Sequence, residues 1–319
     1  MCAGLADAGA HPTSLQKRKM LLSALIPVYN YDCMAFVRSL SRQMQACGVD
    51  GEIVVADDGS AAACKAANKD LENVQFCRYI EFEANRGRAA IRNALADMAR
   101  GEYLLFMDCD AMPPDDLFLS RYADCLSDGS SPDVICGGVT VPDSLPSRDV
   151  SLRYYYGLEV ERKSASVRLA APYSSFVPFN FMIRKRTFDR IRFDESFSCY
   201  GHEDTFFGFT LQERGVSITH IDNPLVHLGL EPNAVFLAKT RMSVDSLVTH
   251  YDKLCPVSRL LRFYCRLCNN GLRFLPYLLY RLCFSAMQQY LIRSARPNLK
   301  VFNLYKLAYL SAAMRKTGR

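Results

Sequence analysis

Two acids one residue apart, Asp108 and Asp110, close the apolar run Tyr103-Leu104-Leu105-Phe106-Met107. The run reads as a buried strand, and in extended backbone the side chains at i and i+2 leave on the same side. Both carboxylates are therefore expected to project from the carboxyl end of a strand, the edge where open α/β sheets bind ligands. A carboxylate pair there suits a hard divalent cation, which in turn holds a diphosphate. That chemistry implies an enzyme handling a nucleotide diphosphate. Taken alone, Asp-x-Asp at a strand end is more often a plain acidic turn, so its neighbours along the chain decide.

Pro27, Tyr29 and Asn30 end one earlier apolar run, and Asp57-Asp58-Gly59-Ser60 ends the next. Both are expected at the same sheet edge as Asp108. An acid there can accept the N–H of a base or the hydroxyls of a ribose, and Gly59 lets the chain turn closely past it. The plain alternative is a turn that caps a helix. Asn85-Arg86-Gly87 then opens a helix on which Arg88 and Arg92, four apart, share a face and can reach a phosphate or a base. A solvated basic face is the alternative.

The elements needed to position these residues follow from periodicity. Strands are expected near 22–28, 52–56, 75–82, 103–108, 134–141, 176–183 and 216–221. Helices are expected over 31–47, 61–71, 88–100, 154–162 and 203–214, the last ended by Gly215. Another should begin at Pro113-Pro114-Asp115, because proline suits a first turn. This alternation predicts an α/β fold with a mostly parallel sheet covered on both faces. Residues 20–235 form the expected catalytic region, with a disordered extension over 1–19 and a basic helical region over 236–319.

At this point the motifs resemble family-2 glycosyltransferases of the GT-A fold. Pro27-Val28-Tyr29-Asn30, Asp57-Asp58-Gly59-Ser60, Asn85-x-Gly87 with Arg92-Asn93, and Asp108-x-Asp110 stand in that family's order and spacing. Asn180-Phe181-Met182-Ile183-Arg184-Lys185 is similar to its acceptor-side strand. Phe193-Asp194-Glu195 precedes Tyr200-Gly201-His202-Glu203-Asp204, which is similar to its Glu-Asp motif. The likeness spans roughly residues 21 to 229 of the chain.

The resemblance implies a Rossmann-like sheet and a role for each matching position. Asp57 or Asp58 would recognise the nucleobase, with Pro27, Tyr29, Asn30, Arg88 and Arg92 around the nucleotide. Asp108 would meet the ribose or the surroundings of the metal. Asp110 would coordinate Mg²⁺ or Mn²⁺, and His227 would complete that site, though a lone histidine is as often structural. Asp204 would be the catalytic base and Glu203 would orient the acceptor, with Asn180 and His202 on the acceptor side.

An inverting transfer needs a carboxylate to take the proton of the attacking hydroxyl. It also needs cations to stabilise the departing diphosphate on the opposite side of the sugar. The implied activity is transfer of a hexose from a nucleotide-diphosphate sugar, expected to be a UDP-sugar, to a saccharide or lipid-linked saccharide in polysaccharide biosynthesis. Polymerising members carry Gln-x-x-Arg-Trp after the base, whereas this chain has no tryptophan. A single transfer is expected. A non-catalytic nucleotide-sugar-binding scaffold is the main alternative. A sugar nucleotidyltransferase is a weaker one, because Pro27-Val28-Tyr29-Asn30 stands where its glycine-rich loop would lie.

Charge is unevenly spread. The chain has 39 Lys+Arg and 33 Asp+Glu, but residues 250–319 hold 13 of the basic residues against Asp252 alone. Arg259, Arg262, Arg266 and Arg273 fall on one helical stripe, with Leu260, Leu261, Tyr264, Leu267 and Cys268 largely off it. Leu275, Leu278, Leu279 and Leu282 continue the apolar pattern around Pro276. Such a region suits an anionic membrane surface; a packed helical subdomain with a solvated basic side is the alternative. No zinc-finger spacing or arginine-rich recognition motif is present, so nucleic acid is not an expected partner.

The 13 scattered cysteines fit a reducing compartment. Cys265-x-x-Cys268 reads as part of a helix face. The expected location is cytoplasmic, peripheral on the membrane face. No run approaches the roughly 18 apolar residues of a spanning helix. Lys17-Arg18-Lys19 before residues 20–28 only superficially resembles a signal peptide, since that short run is needed as the first strand.

Overall fold

The computed structural model describes residues 21–127 and 132–318. The expected N-terminal extension, with Lys17-Arg18-Lys19, lies outside the described residues.

Ten strands are described: β1 (Leu21–Val28), β2 (Asp50–Asp57), β3 (Cys77–Glu81), β4 (Tyr103–Met107), β5 (Ala111–Met112), β6 (Val134–Cys136), β7 (Val139–Thr140), β8 (Asn180–Arg184), β9 (Ile218–His220) and β10 (Leu225–His227). Between them run α1 (Met34–Cys47), α2 (Ala62–Asn68), α3 (Arg88–Met98), α4 (Phe118–Ser127), α5 (Ser151–Tyr156), α6 (Ala165–Leu169), α7 (Lys185–Ile191) and α8 (Glu203–Glu213). The chain continues through α9 (Asn233–Thr249), α10 (Tyr251–Leu254), α11 (Arg259–Asn269), α12 (Phe274–Arg293) and α13 (Leu299–Lys316).

The main sheet has the order β3-β2-β1-β4-β8-β6-β9. All its pairings are parallel except those of β8, which runs against both β4 and β6. Its central strands are apolar on both faces because helices cover both. Tyr103, Leu105 and Met107 of β4 enter one core, while Leu104 and Phe106 enter the other. A small second sheet, β5-β10-β7, stands beside the carboxyl end of β4.

Several expected boundaries move, each for a local reason. The single strand expected over 134–141 is broken into β6 and β7 by Gly137-Gly138. A Cβ on Gly137 would lie 2.4 Å from both the Asn180 side chain and the Asn223 carbonyl, and Gly138 has φ +95°. The chain changes sheets there. Helix α4 starts at Phe118, not at the prolines; Asp115 instead accepts the Leu117 N–H at 2.9 Å and pairs with Arg121. The helix expected over 154–162 is α5 followed by a π turn at Gly157–Glu161. Strand β8 begins only at Asn180, four residues after Phe176.

The C-terminal helices form their own apolar seams. Leu237, Met287, Leu291, Phe302, Tyr305 and Ala308 join α9, α12 and α13. Asn233 ties this region to the body: its Oδ1 accepts the Leu152 N–H at 2.8 Å, and its Nδ2 donates to the Ile292 carbonyl at 3.0 Å. The expected four-arginine stripe is shorter than its spacing suggested. Helix α11 ends at Asn269, so Arg273 stands on the turn into α12. No described helix is long and apolar enough to cross a membrane.

Candidate active site

Strand β4 stops at Met107, and residues 108–110 turn before β5 begins. Asp108 and Asp110 therefore do not project from an extended strand, yet both still line one cleft of about 640 Å³. Backbone ties set the turn. The Asp108 N–H donates to the Phe179 carbonyl at 3.2 Å, and the Asp110 carbonyl accepts from Leu228 at 2.8 Å. The two acids then receive different partners. Asp108 Oδ1 accepts from Arg92 Nη2 at 2.8 Å, whereas Asp110 Oδ2 lies 3.0 Å from His227 Nε2.

The histidine tautomer follows from its other neighbour. Arg153 Nη2 lies 2.9 Å from His227 Nδ1, and a guanidinium can only donate. Nδ1 is thus the acceptor, and Nε2 carries the hydrogen given to Asp110. Arg153 is held in turn by Glu161 at 2.9 Å. Burial pushes the Asp110 carboxyl up, but His227 and the Arg88 guanidinium outweigh it and hold it below its ordinary value. Gly229 leaves room for this carboxylate: a Cβ there would stand 2.2 Å from Asp110 Oδ2.

Pro27, Tyr29, Asn30, Asp58, Arg88 and Arg92 also line the cleft. Asn30 has φ +52° and locks two loops together, accepting the Ala61 N–H and donating its own to Ser60, each at 2.8 Å. Asp58 accepts the N–H groups of Arg86 and Gly87 at 2.8 and 3.1 Å. Burial raises its carboxyl despite those bonds. Asp57 does not reach the cleft. It is fully buried and accepts the Ser60 N–H at 2.7 Å, so of the two acids Asp58 is the one facing the cleft.

Arg92 is 2% exposed and lies between two acids, with Nη1 3.4 Å from Glu203 Oε1 as well as its contact to Asp108. Burial and the adjacent Asp204 push Glu203 up, against the pull of Arg92 and Arg88. Asp204, in the first turn of α8, is half-buried and accepts the Thr205 N–H at 2.6 Å. It lies just outside the cleft lining, within electrostatic reach of Arg88 and Tyr156. Arg88 stacks over Tyr200 at 4.8 Å. Burial disfavours its charge, but Tyr200, Asp108, Glu203 and Asp204 together hold that charge more firmly than usual.

Two residues expected on the acceptor side take other positions. Asn180 is fully buried; its Nδ2 donates to Gly138 and Asn223 carbonyls at 3.1 and 2.8 Å, and its Oδ1 accepts from Tyr122 at 2.7 Å. It clamps the sheet switch and, sealed in the core, lies out of a ligand's reach. His202 has φ +73°, is hydrogen-bonded to Ser243 at 2.9 Å, and burial lowers it to about 4. It lies outside the cleft lining. Residues not anticipated from the sequence include Arg153, Glu231 and Lys239, the last two ion-paired beside Tyr200. Arg153 and Lys239 sit on α5 and α9, which pack against each other, an arrangement no local pattern encodes.

Among the described residues no group of three His, Cys, Asp or Glu side chains converges as a metal site. A hard cation is often held by one or two carboxylates plus substrate phosphates and water, so Asp110 alone fits that demand. His227 fits as a ligand only if Nε2 gives up its hydrogen, which requires Nδ1 to take one and release Arg153.

The profile described as Glycosyl transferase family 2 matches residues 23–192. The chain is 24% identical over 235 residues to a hyaluronan synthase of Pasteurella multocida, covering 65% of this chain and 24% of that one. It is 23% identical over 239 residues to a chondroitin synthase of Escherichia coli, covering 65% and 34%. It is also 24% identical over 241 residues to a putative glycosyltransferase, EpsH, of Bacillus subtilis strain 168, covering 73% and 64%. The chain thus spans less than two thirds of the length of each of these relatives. Among solved structures it superposes on TarS 1–349 of S. aureus with a TM-score of 0.52 at 17% identity, covering 94% and 92%. The mannosyltransferase PcManGT from Pyrobaculum calidifontis, solved with GDP-Man and Mn²⁺, gives 0.59 at 15% identity, covering 94% and 87%. At these identities the two structures speak to the fold alone.

Proposed function

The chain belongs to glycosyl transferase family 2 and has the GT-A fold, and from that premise we propose a single, inverting hexose transfer from a nucleotide-diphosphate sugar. The donor is a UDP-sugar, and the acceptor is a saccharide or lipid-linked saccharide used in polysaccharide assembly at an anionic membrane surface on its cytoplasmic side. The observation that carries this reading is Arg92, which joins Asp108 of the donor side to Glu203 beside the base.

Asp58, Tyr29 and Asn30 border the nucleotide, and Arg88 turns its charge toward the diphosphate. A bound Mg²⁺ or Mn²⁺, held by Asp110 with His227 alongside, would neutralise charge on the leaving diphosphate. Asp204 takes the proton of the acceptor hydroxyl. Its exposure favours it over Glu203, which is 3% exposed and bound to Arg92. Glu203 holds the geometry of the first turn of α8 from below.

Asp204→Asn should lower transfer about 10³-fold, within the usual range for a lost general base. Stabilisation by UDP with Mn²⁺, read as a thermal shift, should persist. Transfer at the wild-type rate would remove Asp204 from the mechanism. No hydrolysis or transfer by the wild type above the protein-free rate with any nucleotide-sugar, with UDP binding intact, would favour a non-catalytic role.

A further inference from the structure

Helix α12 is apolar on two sides. Pro276, Met287 and Leu291 face the protein, while Leu275, Leu278 and Leu282, at spacings of three and four, face outward. Leu282 is 72% exposed and Phe274, at the start of the helix, 59%. A helix apolar all round is normally enclosed by protein or lipid, and a contiguous exposed apolar patch marks an interaction surface. Helix α11 supplies the complement. Its inner face packs through Leu261 and Tyr264, and its outer face carries Arg259, Arg262 and Arg266 around the half-exposed Phe263.

We infer that the elbow formed by α11, the turn at Leu272 and α12 is a bilayer-docking face. Leu278, Leu282 and Phe274 enter the acyl boundary of an anionic membrane, and the α11 arginines with Arg281 lie on its headgroups. Charge complementarity selects this occupant. Residues 253–319 contain no Asp or Glu, so every charged side chain that α11 and α12 themselves place along the apolar row is a cation. A symmetric contact with a second copy would set these arginines against themselves, which disfavours it. Anionic headgroups meet the same arginines favourably, and the leucines gain an apolar medium that water denies them. This inference sharpens only the membrane part of the proposed function, and its test needs no turnover.

The test is flotation of the full chain with vesicles of phosphatidylcholine alone or with about one third phosphatidylglycerol. Wild type should float with the anionic vesicles at low salt, and at least tenfold less with the neutral ones. L278E/L282E and R262E/R266E should each weaken anionic binding at least tenfold, with UDP-dependent thermal shift unchanged. No flotation of a wild type that still binds UDP overturns the inference. So does flotation equal to wild type in both variants. Concentration-dependent dimerisation abolished by L278E/L282E, without vesicle binding, would assign the face to a second copy instead.

Discussion

The cleft and the outer face of α11 and α12 both depend on arginine, and they use it in opposite ways. In the cleft, Arg92 is 2% exposed and touches two carboxylates, and Arg153 is buried between Glu161 and His227. On α11, Arg259, Arg262 and Arg266 are exposed in a segment without an acid. A buried guanidinium fixes geometry because removing it strands its partners. An exposed one contributes little to the fold and is available to an external anion, with an effect that salt screens.

Substitution should separate the two kinds of arginine most sharply. Arg92→Leu leaves Asp108 and Glu203 without their cation and should cost about 3–5 kcal/mol in urea unfolding. Arg262→Leu should stay within about 0.5 kcal/mol. Equal losses in the two would break the distinction.

Next in size is a pH effect confined to the buried side. Burial lowers His202 to about 4 from 6.5, so the unfolded chain takes up its proton first as pH falls. The stability this residue contributes is whole above pH 6.5 and is lost through pH 4, about 3 kcal/mol in all. His202→Asn tolerates the same left-handed backbone and should flatten the fall in melting temperature over that window.

Gly229→Ala is smaller. Its methyl would stand 2.2 Å from Asp110 Oδ2, so affinity for UDP with Mn²⁺ should drop about tenfold while the protein stays folded. Smallest of all, L278E/L282E should change unfolding free energy by no more than about 0.5 kcal/mol, because those leucines support nothing beneath them.

The sheet and its ligand edge were readable from sequence because they rest on local signals. Apolar runs gave β1, β2 and β4, and Asp57-Asp58-Gly59-Ser60 marked the turn where the chain passes Ala84 and Asn85. What a polar residue at that edge does was less readable. Asp57 and Asp58 are neighbours in one motif, yet one is sealed in the core and the other faces the cleft. Asn180 looked like a ligand contact and is a clamp, because its partners Tyr122 and Asn223 come from distant segments. Asp108 and Asp110 do meet in one cleft, but through a turn pinned by Leu228 and Phe179 and not through strand pleat. His227 stood out by its motif and does lie beside Asp110, whereas Arg153, which fixes its tautomer, carried no signal before three tyrosines.

Arg92 and Glu203 are 111 positions apart along the chain. Their contact closes a long loop, so its entropy must be met before the ion pair returns anything. A fragment stopping at residue 192, where the family match ends, would keep Arg92 and Asp108 yet lack Glu203, the guanidinium's second partner. During synthesis, then, the first half of the sheet can emerge early, but Arg92 gains its second carboxylate only once the first turn of α8 has docked.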